Sequence, residues 1–317
     1  MSETKAIDAP TGAPDEGESP APAARRTTPR PASRLAVLKT YKLYIGGKFP
    51  RSESGRYDRI NAVDGGTLAN VCRASRKDFR EAVVAARGAQ PGWAGLSAYN
   101  RGQILYRAAE MLEGRQQQFV HELEQQGVAA RAAAEEVSQS VDRLVYYAGW
   151  ADKVQQIFSS VNPVASSHFN FSVLEPTGVV GIIAPDSPSL LGLVSTLAPV
   201  IAGGNTAVVL VSGEHPLCPI TLAEVLHSSD LPGGVANLLS GRRYELVGQF
   251  ATHMDLNAAV YAGDDARERE RIQTEAALNV KRVVLYDRVD WRSEESQSPY
   301  FIRDCQEVKT TWHPIGS

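Results

Sequence analysis

The sequence is poor in the residues that anchor several protein classes. Its 317 residues include three cysteines, Cys72, Cys218 and Cys305. They are too few and too scattered for a disulfide scaffold or a zinc site. Six histidines (His121, His168, His215, His227, His253 and His313) show neither HxH nor HExxH spacing, so no metal site is expected. Long apolar runs are missing as well. The longest, Leu190 to Ile201, carries Ser195 and Thr196 and falls short of the ~20 residues that a membrane span requires. Neither sign of charge dominates: 33 Lys and Arg face 36 Asp and Glu, for a net charge of -3. That balance fits neither a nucleic-acid binder nor a polyanionic solvated chain. The remaining composition, 43% hydrophobic and 22% charged, is that of an ordinary globular protein with one large or two modest domains. A soluble protein of a reducing compartment is expected, with the cytoplasm as its location.

Residues 1–36 are rich in Pro, Ala, Gly, Ser and Thr and have no apolar periodicity. Such a stretch cannot bury enough surface to offset its ordering entropy, so a disordered tail is expected. The Arg25-Arg26 pair has no apolar run after it, which argues against an export signal. The tail reads as solvated linker or as a short basic docking segment. Structure is expected from Leu43-Tyr44-Ile45-Gly46-Gly47, a strand ending in a hairpin turn. Three amphipathic helices follow, marked by Phe79, Val83 and Ala86, then Ile104, Leu105, Ala108 and Leu112, then Val137, Val141, Leu144, Val145 and Ala148. Asn162-Pro163 breaks the helical pattern, and Val164 to Leu174 has strand composition. From Gly178 onward strand and helix alternate, with apolar strands at Val179–Ala184, Thr206–Val211, Val235–Leu239, Ala258–Ala262 and Arg282–Tyr286. Uninterrupted apolar strands alternating with helices predict an α/β fold: an open, parallel, Rossmann-like sheet covered by helices on both faces.

At this point the residues resemble the NAD(P)-dependent aldehyde dehydrogenase family. Leu43-Tyr44-Ile45-Gly46-Gly47 is similar to that family's opening "INGEW" strand. Leu96-Ser97, Arg101 and Tyr146-Tyr147-Ala148-Gly149-Trp150-Ala151 follow at family spacing. Glu175 to Gly181 resembles "EPLGVVG", Leu197 to Thr206 resembles "LAPALAAGNT", and Leu231 to Val235 resembles "LPPGV". Asn279-Val280-Lys281-Arg282-Val283 is similar to the lead-in to the general-base strand. The resemblance covers nearly all of residues 41–286. It implies a nucleotide-binding domain over residues 37–290, with an oligomerisation hairpin at 160–175.

The positions to which the resemblance assigns function are altered. Where the family's "PWNFP" loop supplies an asparagine amide to the oxyanion hole, this chain has Pro185-Asp186-Ser187-Pro188, with Ser187 in place of the amide. The family's ribose-binding lysine and glutamate correspond to Leu210 and Gly213. Each hydrogen bond to a charged group lost in this way is worth about 1.5–3 kcal/mol. The "FTGS" turn that receives the diphosphate reads Tyr261-Ala262-Gly263-Asp264, with Asp265 next. Two carboxylates there suit a helix start and repel a diphosphate. Tyr286 replaces the general-base glutamate, and a phenol with a pKa of about 10 is no base at neutral pH. The vestigial cofactor positions implied by the resemblance are Ile183, Ala184, Pro185, Leu210, Gly213, Gly263 and Asp264, and no cofactor is expected; NAD(P) is the one the resemblance would imply.

The family's catalytic lobe, with its nucleophilic cysteine, should follow. Residues 291–317 instead read as a linker and a terminal segment, Glu307-Val308-Lys309-Thr310-Thr311-Trp312, similar to the family's oligomerisation strand "EVKTVTV". The expectation is a chain without the catalytic lobe. Cys305 has no activating base nearby in sequence, and Cys218, at a helix start, reads as a buried thiol with a possible gain of thiolate character from the helix dipole. Gly241 to Gly248 is an ordinary loop-to-helix turn, and Tyr286 and Asp287, adjacent on a strand, point to opposite faces. The resemblance then implies a non-catalytic structural or regulatory subunit. Its partner would be a full-length aldehyde dehydrogenase, met through Val164–Leu174 and Val308–Trp312. The alternatives are an active enzyme oxidising aldehydes to acids with NAD(P), or a nucleotide-binding module without turnover.

Overall fold

The computed structural model describes residues 37–63 and 65–316; the tail read at residues 1–36 lies outside them. The N-terminal part opens with a small sheet of β1 (Lys39–Tyr41), β2 (Tyr57–Asn61) and β3 (Thr67–Cys72). The hairpin expected at Gly46-Gly47 is present as a tight turn: Ile45 and Lys48 exchange both backbone hydrogen bonds, and the two glycines have φ of 60° and 76°. A Cβ on Gly47 would lie 2.9 Å from the Gly233 Cα, so this turn and the Leu231–Val235 loop pack backbone to backbone. Tyr44 bridges to Leu238 and joins the turn to the main sheet.

Four long helices follow where three were expected: α1 (Arg76–Gly95), α2 (Ala98–Glu113), α3 (Gln116–Gln125) and α4 (Ala130–Trp150). Ser75 and Asp78 form a capping box at the start of α1. The added helix, α3, buries Phe119, Leu123 and Glu122, a face too narrow and polar to show periodicity. Val145, expected in the core face of α4, is exposed. Next come α5 (Val154–Phe158), β4 (Ser160–Asn162) and β5 (His168–Pro176), so Asn162 ends a strand rather than a helix.

The alternating half comprises β6 (Val179–Ile183), α6 (Ser189–Ala202), β7 (Thr206–Leu210), α7 (Leu217–His227), β8 (Ala236–Leu239), α8 (Arg243–Thr252), β9 (Ala258–Tyr261), α9 (Ala266–Ala276) and β10 (Arg282–Leu285). The five strands are parallel in the order β10-β9-β6-β7-β8. Strand residues of one parity, such as Val180, Ile182 and Val209, pack with α2, α4, α6 and α7; those of the other, such as Val179, Val208 and Ala259, pack with α1, α8 and α9. Both faces are thus covered, as continuous apolar strands require. Among the described residues no helix is long and apolar enough to cross a membrane.

The segment after β10 is not an open linker. Trp291, Ser296, Ile302 and Cys305 are buried, and α10 (Tyr300–Arg303) packs on α6. The chain ends in β11 (Gln306–Pro314), antiparallel to β5 over its whole length, from Gln306↔Pro176 to Pro314↔His168. The resulting sheet, β11-β5-β4, leaves β11 as an edge strand.

Candidate functional site

In an open α/β sheet, ligands bind outside the carboxyl ends of the strands, where the strand order reverses. Here the chain steps from β6 to β7 to β8 and then returns to β9 on the other side of β6. The reversal lies between β6 and β9. The turns following these strands carry Ala184, Pro185, Asp186, Ser187, Gly263 and Asp264; Leu210 and Gly213 close β7, and Tyr286 follows β10. The fold therefore brings the expected site positions to one end of the sheet.

Their chemistry is another matter. Ser187 is exposed, whereas Asp186 turns inward: its Oδ1 accepts from the Gly213 amide at 2.9 Å and its Oδ2 lies 3.0 Å from Arg243 Nη1. Leu210 is fully buried among apolar neighbours, and Gly213 contributes only its backbone. Asp265, not Asp264, caps α9, accepting from the Arg267 and Glu268 amides, and those bonds lower its pKa. Tyr261 Oη lies 3.0 Å from Glu268 Oε2 and accepts from the Asp265 amide.

Tyr286 is half-buried, with ring centroids 4.7 Å from Phe301 and 5.7 Å from Trp291, and it donates to Asp304 Oδ2 at 3.1 Å. Burial first, then the neighbouring Cys305 and Asp304, hold its phenol well above the ordinary range. It is a neutral hydrogen-bond donor. All three cysteines are buried. Burial pushes the Cys305 thiol to about 12. Burial likewise raises Cys218, whose Sγ donates to the Phe119 carbonyl. Burial thus opposes the gain of thiolate character considered for Cys218 at the helix start. Among the described residues no group of three or more His, Cys, Asp or Glu side chains is placed to hold a metal ion.

Two residues at this end of the sheet escaped the sequence reading. Arg243, in the turn read as an ordinary loop-to-helix passage, reaches across the strand ends; the visible signal was a cationic pair, Arg242-Arg243, at a helix N-terminus, the end a helix dipole disfavours for cations. Arg143, buried on α4, donates to Ser195 Oγ, Ser296 Oγ and the Trp291 and Ser296 carbonyls. Its periodicity as a polar position on α4 carried no such signal.

Comparison with known proteins settles the family. The aldehyde dehydrogenase family profile matches residues 49–286. This chain belongs to the aldehyde dehydrogenase family. It is 32% identical over 259 residues to the cytosolic 10-formyltetrahydrofolate dehydrogenase of Mus musculus, covering 80% of this chain and 29% of that protein. It is also 32% identical over 252 residues to the 2-hydroxymuconic semialdehyde dehydrogenase of Pseudomonas sp. (strain CF600), covering 78% of this chain and 52% of that one. Among solved structures, the NAD+ complex of aldehyde dehydrogenase from Bacillus cereus superposes with a TM-score of 0.74 at 26% identity, over 78% of this chain and 51% of the other. The chain thus spans between about a third and a half of the length of these relatives. The matched residues of this chain include its whole five-stranded Rossmann-like sheet.

Proposed function

We propose that this aldehyde dehydrogenase family chain is a non-catalytic structural or regulatory subunit that associates with a full-length aldehyde dehydrogenase. The observation that carries the reading is Tyr286. At the position the family resemblance gives to the general base stands a neutral phenol that donates to Asp304, lies tilted against Phe301 and meets Trp291 edge-on. The other parts of the reaction are lacking in the same way. Ser187 replaces the oxyanion-hole amide, and no cysteine is exposed to act as nucleophile. Residues 286–305 occupy the stretch between β10 and β11 in which the resemblance places a catalytic lobe.

The β5–β11 sheet supports the partner. Main-chain pairing at a sheet edge tolerates sequence change and suits a strand-addition interface. Val308 and Trp312 on β11 are 59% and 58% exposed, and Val161 and Phe169 lie exposed on the same small sheet. An apolar edge strand of this kind is one that proteins usually cover. In this chain residues 286–305 fill the stretch between β10 and β11 where the resemblance places the receiving lobe, which favours a full-length relative over a second copy as the partner.

Co-expression with a full-length aldehyde dehydrogenase tests the reading. The two chains should co-purify, and Val308→Glu with Trp312→Glu should abolish association while leaving this chain folded. Cutting after Ser298 is the poorer variant, because it removes the buried Ile302, Cys305 and Gln306. Aldehyde-dependent reduction of NAD or NADP by the isolated chain at an enzymatic rate would refute the non-catalytic role.

A further inference from the structure

We infer that the crevice at the carboxyl ends of β6 and β9 is closed by the chain's own residues, Arg243 from one side and Trp291 from the other, and takes no dinucleotide. The family's cofactor does not fit the residues found there. This inference rests on the same altered positions as the non-catalytic reading, but it needs no partner subunit.

The charged side comes first. Arg243 leaves the first turn of α8 and lays its guanidinium over the strand ends. Nη2 donates to the Ala184 carbonyl at 2.6 Å, and Nη1 pairs with Asp186 at 3.0 Å. A Cβ on Gly263 would come within 2.8 Å of the same Nη1. The guanidinium therefore rests against the backbone of the turn where the family resemblance puts the diphosphate. Asp186 passes the link on to the Gly213 amide, and the Ser212 hydroxyl donates to the Asp186 carbonyl at 2.9 Å. The turns after β6, β7 and β9 are thus joined by one side chain and its partner.

This arginine is not a free anion receptor. Both terminal nitrogens are engaged and only Nε lacks a partner. Asp186 and, less directly, Asp265 and Glu268 face the guanidinium, and Asp264 adds a further carboxylate to the same turn. A diphosphate would have to displace one carboxylate from Arg243 and enter beside the others. Two of the backbone amides at the start of α9 that an incoming phosphate would need, those of Arg267 and Glu268, are already taken by the Asp265 side chain.

The apolar side is built by the segment after β10. Trp291, 3% exposed, packs on Leu191 at the start of α6 and Ala262 just after β9, with Tyr286 and Phe301 flanking it. Buried Arg143 fixes this segment through the Trp291 and Ser296 carbonyls, and Tyr147 Oη donates to the Ser298 carbonyl. An indole held from its own backbone covers ground that would have to stay open for a ligand lying across these strand ends.

The experiment uses the full chain. Calorimetric titration with NAD+, NADP+ and NADH should show no saturable binding up to about 1 mM, the range of the weakest specific complexes. Hydrogen exchange is then read at the amides of residues 184–188, 211–214 and 262–265. In Arg243→Ala these should exchange about tenfold faster than in the wild type, the factor that loss of one charge-assisted hydrogen bond commands. Should that variant fail to fold, Asp186→Asn, which keeps the shape and removes the charge, reads the same loops. Saturable dinucleotide binding by the wild type overturns the inference, and so does unchanged loop exchange in the variant. Neither readout involves a second chain, so failure here is distinguishable from failure to capture a partner.

Discussion

Replacing Arg143 with methionine keeps most of the side-chain volume and removes only the guanidinium. That group makes four hydrogen bonds: to Ser195 Oγ and the Ser296 carbonyl at 2.7 Å, Ser296 Oγ at 3.0 Å and the Trp291 carbonyl at 3.1 Å. All four acceptors are neutral, so the cation is buried without an ion pair, and burial lowers its pKa. Trp291 keeps a second donor in Ser296 Oγ at 2.9 Å, and Ser195 has a rotatable hydroxyl. The Ser296 carbonyl is left bare, at about 1–3 kcal/mol, and the three remaining bonds contribute roughly 1 kcal/mol each. Relief from burying an uncompensated charge offsets part of this, leaving a net loss of about 3 kcal/mol. Urea unfolding should show that loss, with a midpoint temperature lower by roughly 5–10 °C. Hydrogen exchange should be faster throughout residues 291–298. A loss below about 1 kcal/mol, with exchange in that segment unchanged, would refute the claim that Arg143 anchors it.

Four further outcomes are expected. Tyr286→Phe should cost about 1 kcal/mol by urea titration through the lost bond to Asp304; Tyr286→Glu, which places beside Asp304 the carboxylate that the family resemblance expects there, should produce no aldehyde oxidation. Native protein should not react with a thiol reagent such as dithionitrobenzoate, and all three thiols should titrate on unfolding, because every cysteine is buried. Ser75→Ala should lower stability by about 1 kcal/mol through loss of the capping box on α1. Lys281 Nζ donates to the Phe250 and His253 carbonyls at the end of α8, while burial brings its pKa down to about 8. Because the folded value lies below the unfolded one, the unfolded chain binds more protons between pH 8 and about 10.4, so this residue's contribution to stability improves as pH rises across that window. Lys281→Met should flatten that part of the stability profile.

How much of this is legible in the sequence differs from element to element. The strands from Val179 to Leu285 announce themselves because a strand buried on both faces must be apolar throughout, and the Gly203-Gly204-Asn205 stop of α6 is a local signal. α3 is hidden because one and a half turns of contact need only Phe119 and Leu123, and its buried Glu122 reads as a surface residue while it accepts from Tyr41 and Thr221. Residues 291–298 look solvated for a related reason. Their burial rests on Trp291 and on backbone carbonyls meeting an arginine about 150 residues earlier in the chain.

The amino-acid sequence alone determined the α/β class and the family, and it singled out the positions where the family resemblance expects other residues, because all three depend on residue type at local spacing. Tertiary structure alone decided what those altered residues do. That Asp186 is held by Arg243, that Tyr286 donates to Asp304, that β11 pairs with β5 of its own chain, and that Trp291 lies over the strand ends are all contacts between segments distant in sequence. Such contacts carry no periodic or local signature, since their energy is gained only when folding brings both partners out of water together.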